Sequence, residues 1–153
     1  MIVTFRINGE DRTANIAGYE SLLTVLREEL GLPGSKNACE QGECGSCSVV
    51  LDDAVVTSCL VMAADCEGSE ITTVEGIGSD RELHAVQHAL LNHGAVQCGF
   101  CTPGFVVTAA HMFEQNPHPD SDEIKEALSG NICRCTGYGA IARALEELAE
   151  EPT

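Results

Sequence analysis

Eight of the nine cysteines in this 153-residue chain fall into two sets of four. The first set is Cys39-x4-Cys44-x2-Cys47, followed by Cys59; the second is Cys98-x2-Cys101 and Cys133-x-Cys135, with 31 residues between the two pairs. Each set must be gathered to one point whatever the backbone does in between, so this spacing constrains the fold more than any hydrophobic period. A single cysteine is ordinarily a small buried hydrophobe; four at close, patterned spacing are ligands or disulfide partners. The opening MIVTFRINGEDR has no basic region followed by an apolar run and a small-residue cleavage site. No apolar stretch approaches the ~20 residues of a membrane span. The expectation is a cytoplasmic protein whose thiols stay reduced, and there nine cysteines point to metal.

The first set has the spacing of plant-type ferredoxins. Two irons bridged by two sulfides need four thiolates, each at roughly 2.3 Å, as in other first-row thiolate bonds. A compact loop supplies three of them and a distant strand the fourth, Cys59. Gly42 and Gly45 inside CEQGECGSC let the backbone wrap closely and aim N–H groups at sulfur. Zinc is the competing metal. Structural zinc sites usually show two C-x2-C knuckles, and this set has one, after an x4 gap.

The chain divides in character around these cysteines. Residues 1–75 alternate like strands. Val3, Phe5 and Ile7 share a face, Asn8-Gly9 is a turn signal, and a second strand follows through Thr13 to Ile16. Ser21 caps a helix with Leu22, Val25, Leu26 and Leu30 on one stripe, ended by Gly31. Strands return at Ser48–Leu51, Val55–Leu60 and Ile71–Val74. This order predicts a small mixed sheet with a helix across it.

Residues 80–153 read as helices, and the boundary falls near Gly76-Ile77-Gly78-Ser79. The expected helices are Leu83–Asn92; one opened by Thr102 and Pro103 and running to about Asn116; one capped by Asp120 with Glu123 and ending near Ser129-Gly130; and about Ala140–Glu150. Four helices predict a small bundle. Both pairs of the second cysteine set precede helices, whose free N–H groups and positive dipole ends suit an anionic cluster. By spacing alone, zinc remains open for this set. Cys66 is left over and reads as a non-ligand. His84 and His88 are i,i+4, but no third ligand accompanies them, so they read as part of a helix face.

The net charge is −16, from 24 acidic and 8 basic residues. Nucleic acid is excluded as a partner, since binding phosphates needs clustered Lys and Arg. The acidity reads either as a solvated surface or as a docking face. Aromatics are 4% of the chain and Trp is absent, so two small cores gain little from large side chains and something else has to help hold them.

The segments Cys98-Gly99-Phe100-Cys101-Thr102-Pro103-Gly104 and Gly130-Asn131-Ile132-Cys133-Arg134-Cys135-Thr136-Gly137-Tyr138 closely resemble the small iron–sulfur subunit of the molybdenum hydroxylases, the xanthine dehydrogenase and aldehyde oxidoreductase family. Cys39–Cys47 matches its first motif, with Ser46 and Ser48 where Ala and Thr are commoner. The resemblance implies an α+β chain: an N-terminal β-grasp, plant-type ferredoxin-like domain over residues 1–77, and a C-terminal four-helix [2Fe–2S]-binding domain over 78–153. It implies two [2Fe–2S] clusters, with metal ligands Cys39, Cys44, Cys47 and Cys59, then Cys98, Cys101, Cys133 and Cys135. Gln97 matches the residue that hydrogen-bonds the pterin, and Cys135 the ligand nearest it. The implied partners are a molybdopterin-binding large subunit and an FAD-binding medium subunit, in a dimer of heterotrimers. Electrons would run from molybdenum through the helical-domain cluster and the ferredoxin-like cluster to FAD.

Two other functions compete: a free-standing ferredoxin, for which the first 75 or so residues would suffice, and a zinc-stabilised interaction module. The substrate binds in another subunit. The run Gly94-Ala95-Val96-Gln97-Cys98 resembles bacterial xanthine dehydrogenase small subunits and points to a purine such as xanthine. Aldehyde, N-heterocycle and carbon monoxide oxidation are the alternatives.

Overall fold

The computed structural model describes residues 1–79 and 81–151; Asp80, Pro152 and Thr153, inside the expected helical domain, lie outside them. Strand β1 (Ile2–Ile7) runs through the Asn8-Gly9 turn into antiparallel β2 (Glu10–Asn15). Asn8 and Gly9 both have left-handed φ, 51° and 82°, as a two-residue hairpin turn requires. Asp52 and Asp53 do the same, at 46° and 67°, between β3 (Ser48–Leu51) and β4 (Ala54–Thr57). With β5 (Glu70–Thr72) the sheet order is β2-β1-β5-β3-β4, in which β1 and β5 are parallel and the other neighbours antiparallel.

Helix α1 (Leu22–Thr24) continues as a π-helical turn over Val25–Glu29 and closes one face of the sheet. Ser21 Oγ accepts the Thr24 amide at 3.2 Å. Leu22, Val25, Leu26 and Leu30 are buried against Val3, Phe5, Ile7, Val49 and Ile71. Fully burying each of the larger of these side chains contributes about 1.5–3 kcal/mol. A mixed five-strand sheet clasping one helix is the β-grasp architecture expected for this half.

Two strand expectations are corrected. The run Val55–Leu60 leaves the sheet after Thr57, and Ser58–Leu60 forms a 3-10 turn. The cause is tertiary. Buried Ser58 donates its hydroxyl to the Cys47 carbonyl at 2.7 Å, and its amide to the same oxygen at 3.3 Å. The fourth cysteine of the first set therefore sits on a 3-10 turn and not on a strand. Likewise β5 stops at Thr72, and Val74–Gly76 is a 3-10 turn.

The second half holds α2 (Ala85–Asn92), α3 (Thr102–Gln115), α4 (Ser121–Leu128) and α5 (Gly139–Glu150) around Val86, Leu90, Phe105, Ile124, Ile141 and Leu145. Asp120 and Glu123 form the expected capping box. The start of α2 is two residues later than its apolar pattern suggests. His84 takes the cap, with Nδ1 accepting the Val86 amide at 3.2 Å while Gln87 Oε1 accepts the His84 amide at 2.8 Å. The residue before α3 is Cys101, not the expected Thr102. No helix among the described residues is long and apolar enough to cross a membrane.

Helix α3 lies against the sheet, and where the halves meet the backbones almost touch. A Cβ on Gly104 would run into the Gly45 carbonyl, and a Cβ on Gly45 into the Gly130 carbonyl. Gly45 also has φ +70°, so glycine is required there twice over.

Candidate metal centres

The first cysteine set hangs on a loop pinned from both sides. Arg27 donates to the carbonyls of Pro33 and Ser35, each at 2.8 Å, and the Lys36 amide donates to the Ser46 carbonyl at 2.9 Å. Left-handed φ values at Glu40, Gly42 and Gly45 curl the segment. Cys47 is buried; Cys39, Cys44 and Cys59 are partly exposed. The thiols meet in two pairs, Cys39 with Cys44 and Cys47 with Cys59. Amides of Gln41, Cys44 and Glu43 converge on Cys39 Sγ, the first at 3.4 Å, and hold that thiol down to about 6. Burial, with the Cys47 thiol adding to it, pushes Cys59 up to about 11.

The second set repeats the pairing: Cys101 with Cys133, and Cys98 with Cys135. Cys101 caps α3, and Cys133 and Cys135 stand on the loop leading to α5. Burial and the Cys133 thiol push Cys101 up to about 12. Burial works against the Cys133 thiolate too, but the Thr136 hydroxyl and the amides of Thr136 and Cys135 outweigh it, and the thiol falls to about 7. Cys98 and Cys135 are exposed, and Gln97 beside Cys98 is exposed as well. Phe100, Ile132 and Tyr138, in the segments that carry these cysteines, are each about half exposed.

Two pairs of thiols in each set fit a two-iron cluster, in which each iron takes two cysteine sulfurs and shares two sulfides. Amide and hydroxyl donors on Cys39 and Cys133 suit anionic sulfur. Among the described residues no three Cys, His, Asp or Glu side chains converge on one point as a single-ion site would require. Cys66 belongs to neither set. It is 2% exposed in the sheet-side core, with Sγ 3.5 Å from the Met62 carbonyl.

Sequence reasoning missed the connection between the sets. The Ile132 amide donates to the Cys44 carbonyl at 3.0 Å, and buried Asn131 Nδ2 donates to the Gly45 carbonyl at 3.3 Å. The available signal was the Gly130-Asn131 pair, one residue before a cysteine pair.

A β-grasp half and a helical half, each holding a four-cysteine site, define a protein with two [2Fe–2S]-binding domains. Residues 5–76 match the 2Fe-2S iron-sulfur cluster binding domain family, and residues 73–146 the [2Fe-2S] binding domain family. The chain is 46% identical over 143 residues to the nicotine 6-hydroxylase small subunit of Paenarthrobacter nicotinovorans, covering 94% of this chain and 86% of that one. It is 41% identical over 148 residues to the nicotinate dehydrogenase small FeS subunit of Eubacterium barkeri, covering 97% and 94%. The crystal structure of quinoline 2-oxidoreductase from Pseudomonas putida 86 superposes with a TM-score of 0.93 at 44% identity, over 98% of this chain and 94% of that one. The chain belongs to the family of iron–sulfur subunits of the molybdenum hydroxylases, and it is a non-catalytic electron-transfer subunit of an oxidoreductase.

Proposed function

We propose that Cys39, Cys44, Cys47 and Cys59 hold one [2Fe–2S] cluster, and Cys98, Cys101, Cys133 and Cys135 the other. When bound, the two clusters supply one-electron carriers in series between a molybdopterin in a large partner subunit and FAD in a medium one. The observation that carries this reading is the hydrogen bond from Ile132 to Cys44, which ties the two cysteine loops together at 3.0 Å. A free shuttle with a single site has no need of such a tie.

The chain's own residues divide the work. Gly45, Gly104 and Asn131 hold the two loops in contact. Gln97 and Cys135 lie at the exposed end of the second site, where the molybdopterin subunit docks, and Gln97 offers the pterin edge two donors and an acceptor. The domains divide at 77–78, a reading supported by the two separate apolar cores. The assembly is a dimer of heterotrimers in the cytoplasm, a compartment in which cysteines stay reduced and available as ligands.

The substrate of the molybdenum subunit is an aromatic N-heterocycle. Relatives named for nicotine, nicotinate and quinoline support this class; it also contains the purine suggested by Gly94–Cys98. The test is metal analysis with paramagnetic resonance on the gently purified complex. The expected result is four irons and four sulfides per copy of this chain, two rhombic signals on reduction, and co-purifying pterin and flavin subunits. Zinc at two per chain, or this chain purifying alone with one signal, overturns the reading.

A further inference from the structure

The loop Cys133–Tyr138 closes on itself through three hydrogen bonds. The Thr136 hydroxyl donates to Cys133 Sγ at 3.1 Å. The Tyr138 amide donates to Thr136 Oγ1 at 3.2 Å, and the Cys133 amide donates to the Tyr138 phenol oxygen at 3.2 Å. A hydroxyl carries one proton and two acceptor sites. With an amide on the acceptor side, the Thr136 proton is left to point at sulfur.

Tyr138 is the fixed point of this arrangement. It stands at φ +66° immediately before α5, a conformation uncommon for an aromatic residue. Its carbonyl accepts the Ala142 amide at 2.9 Å, so α5 itself holds the residue whose amide orients Thr136. Tyr138 also takes up the Cys133 amide, turning that donor toward the phenol oxygen.

The other site differs. There the donors on Cys39 Sγ are amides of Gln41, Cys44 and Glu43, with the Cys44 thiol beside them, and no hydroxyl is among them. At the helical site the Thr136 hydroxyl joins the amides of Thr136 and Cys135 on Cys133 Sγ.

We infer that Thr136 is a positioning residue that sets the reduction potential of the helical-domain cluster by donating its hydroxyl to the sulfur of Cys133. The inference rests on Cys133 being a ligand, as proposed above. One electron added to the cluster increases the negative charge on its ligand sulfurs, and a hydroxyl donor stabilises that state more than the oxidised one. The potential therefore rises. The proton stays on the Thr136 oxygen throughout, so the step is a one-electron reduction with no proton transferred; dithionite supplies the electron in the test.

The experiment is a potentiometric titration of the full-length holoprotein followed by paramagnetic resonance, comparing wild type with Thr136→Val and Thr136→Ser. Thr136→Val keeps the shape and removes the donor. It should lower the ratio of reduced to oxidised helical-domain cluster roughly tenfold at fixed potential, which is about 59 mV for a one-electron couple. The other signal should not move, and Thr136→Ser should restore the wild-type midpoint. A Thr136→Val protein with full iron and both midpoints unchanged overturns the inference. If Thr136→Val does not retain its cluster, Thr136→Ser decides: the wild-type midpoint supports the inference, and a shift of tenfold or more overturns it. Cys133→Ala separates this from the ligand assignment and identifies the signal. Unchanged iron in that variant means Cys133 is not a ligand and ends both; lost iron there, with an unmoved potential in Thr136→Val, counts against Thr136 alone.

Discussion

The amide of Ile132 donates to the carbonyl of Cys44 across 3.0 Å. Cys44 belongs to the sheet-side set, and Ile132 is covalently next to Cys133 of the helical set. The path between these two thiols therefore consists of covalent bonds and one hydrogen bond, with no side chain in between. Asn131 reinforces it from the neighbouring position by donating to Gly45.

That reinforcement is testable. Asn131→Ala removes a buried donor and leaves the Gly45 carbonyl without it, a loss of about 1–2 kcal/mol. For a chain of this size the thermal midpoint of the holoprotein should fall by about 2–8 °C, as read by calorimetry. An unchanged midpoint would mean the contact adds nothing to the joint between the halves.

Cys66→Ser should leave iron content and both resonance signals as in wild type, because Cys66 packs in the core apart from both cysteine sets. Cys44→Ser should weaken or remove one signal and leave the other largely in place. If Cys44→Ser abolishes both, the sheet and helical halves fold as one unit.

His93 joins α2 to α5, with Nε2 2.8 Å from Glu147 and Nδ1 3.0 Å from the Ala89 carbonyl. The Glu147 hydrogen bond, helped by the Ala89 carbonyl, raises the pKa of His93 above the ordinary 6.5. A raised folded pKa gives stability that is fully present below the unfolded value and lost as pH rises through the folded one. The α2–α5 joint should therefore loosen between pH 6.5 and the raised value. Histidine hydrogen–deuterium exchange by mass spectrometry reads this titration, and Glu147→Gln should bring it back toward 6.5.

Gln97→Ala should keep all iron and both signals, since an amide side chain is not a ligand. If Gln97 meets the pterin as proposed, the substitution should slow reduction of the clusters by substrate in the assembled complex, and leave reduction by dithionite unchanged, through about 1–3 kcal/mol lost at that contact. Glu43→Ala, in the loop of the sheet-side set, is the control. Stopped-flow traces that match for the two variants would remove Gln97 from the docking site.

Local signals made much of the molecule legible. Alternating Val3, Phe5 and Ile7, the Asn8-Gly9 turn and the Asp120–Glu123 box each act over a few residues, and all appear in the fold. Cysteine spacing likewise grouped thiols that the fold brings together, Cys39 with Cys44 and Cys47 with Cys59, then Cys101 with Cys133 and Cys98 with Cys135, although spacing left the metal of the second set open. The features that escaped are set by distant contacts. Cys59 lies in a run rich in strand formers, and its 3-10 turn comes from Ser58 reaching Cys47 eleven residues earlier. His84 acts as a cap through Nδ1, a role its residue type rarely advertises. The bond from Ile132 to Cys44 spans the two halves, and no periodicity records it.

The glycine contact at Gly45 and Gly104 also bears on how such a chain can be re-engineered. The two halves look interchangeable with other iron–sulfur modules, yet their seam is cut to the width of bare backbone. A graft that imported a foreign ferredoxin unit would need glycine at the position of Gly45 and an unobstructed carbonyl after it. The same graft would need the counterpart of Gly104 in the first turn of the recipient helix. Recombination between the two cysteine-bearing halves would thus yield working hybrids only when both sides of the seam travel together. In that sense the chain behaves as one cassette, although it is built from two halves.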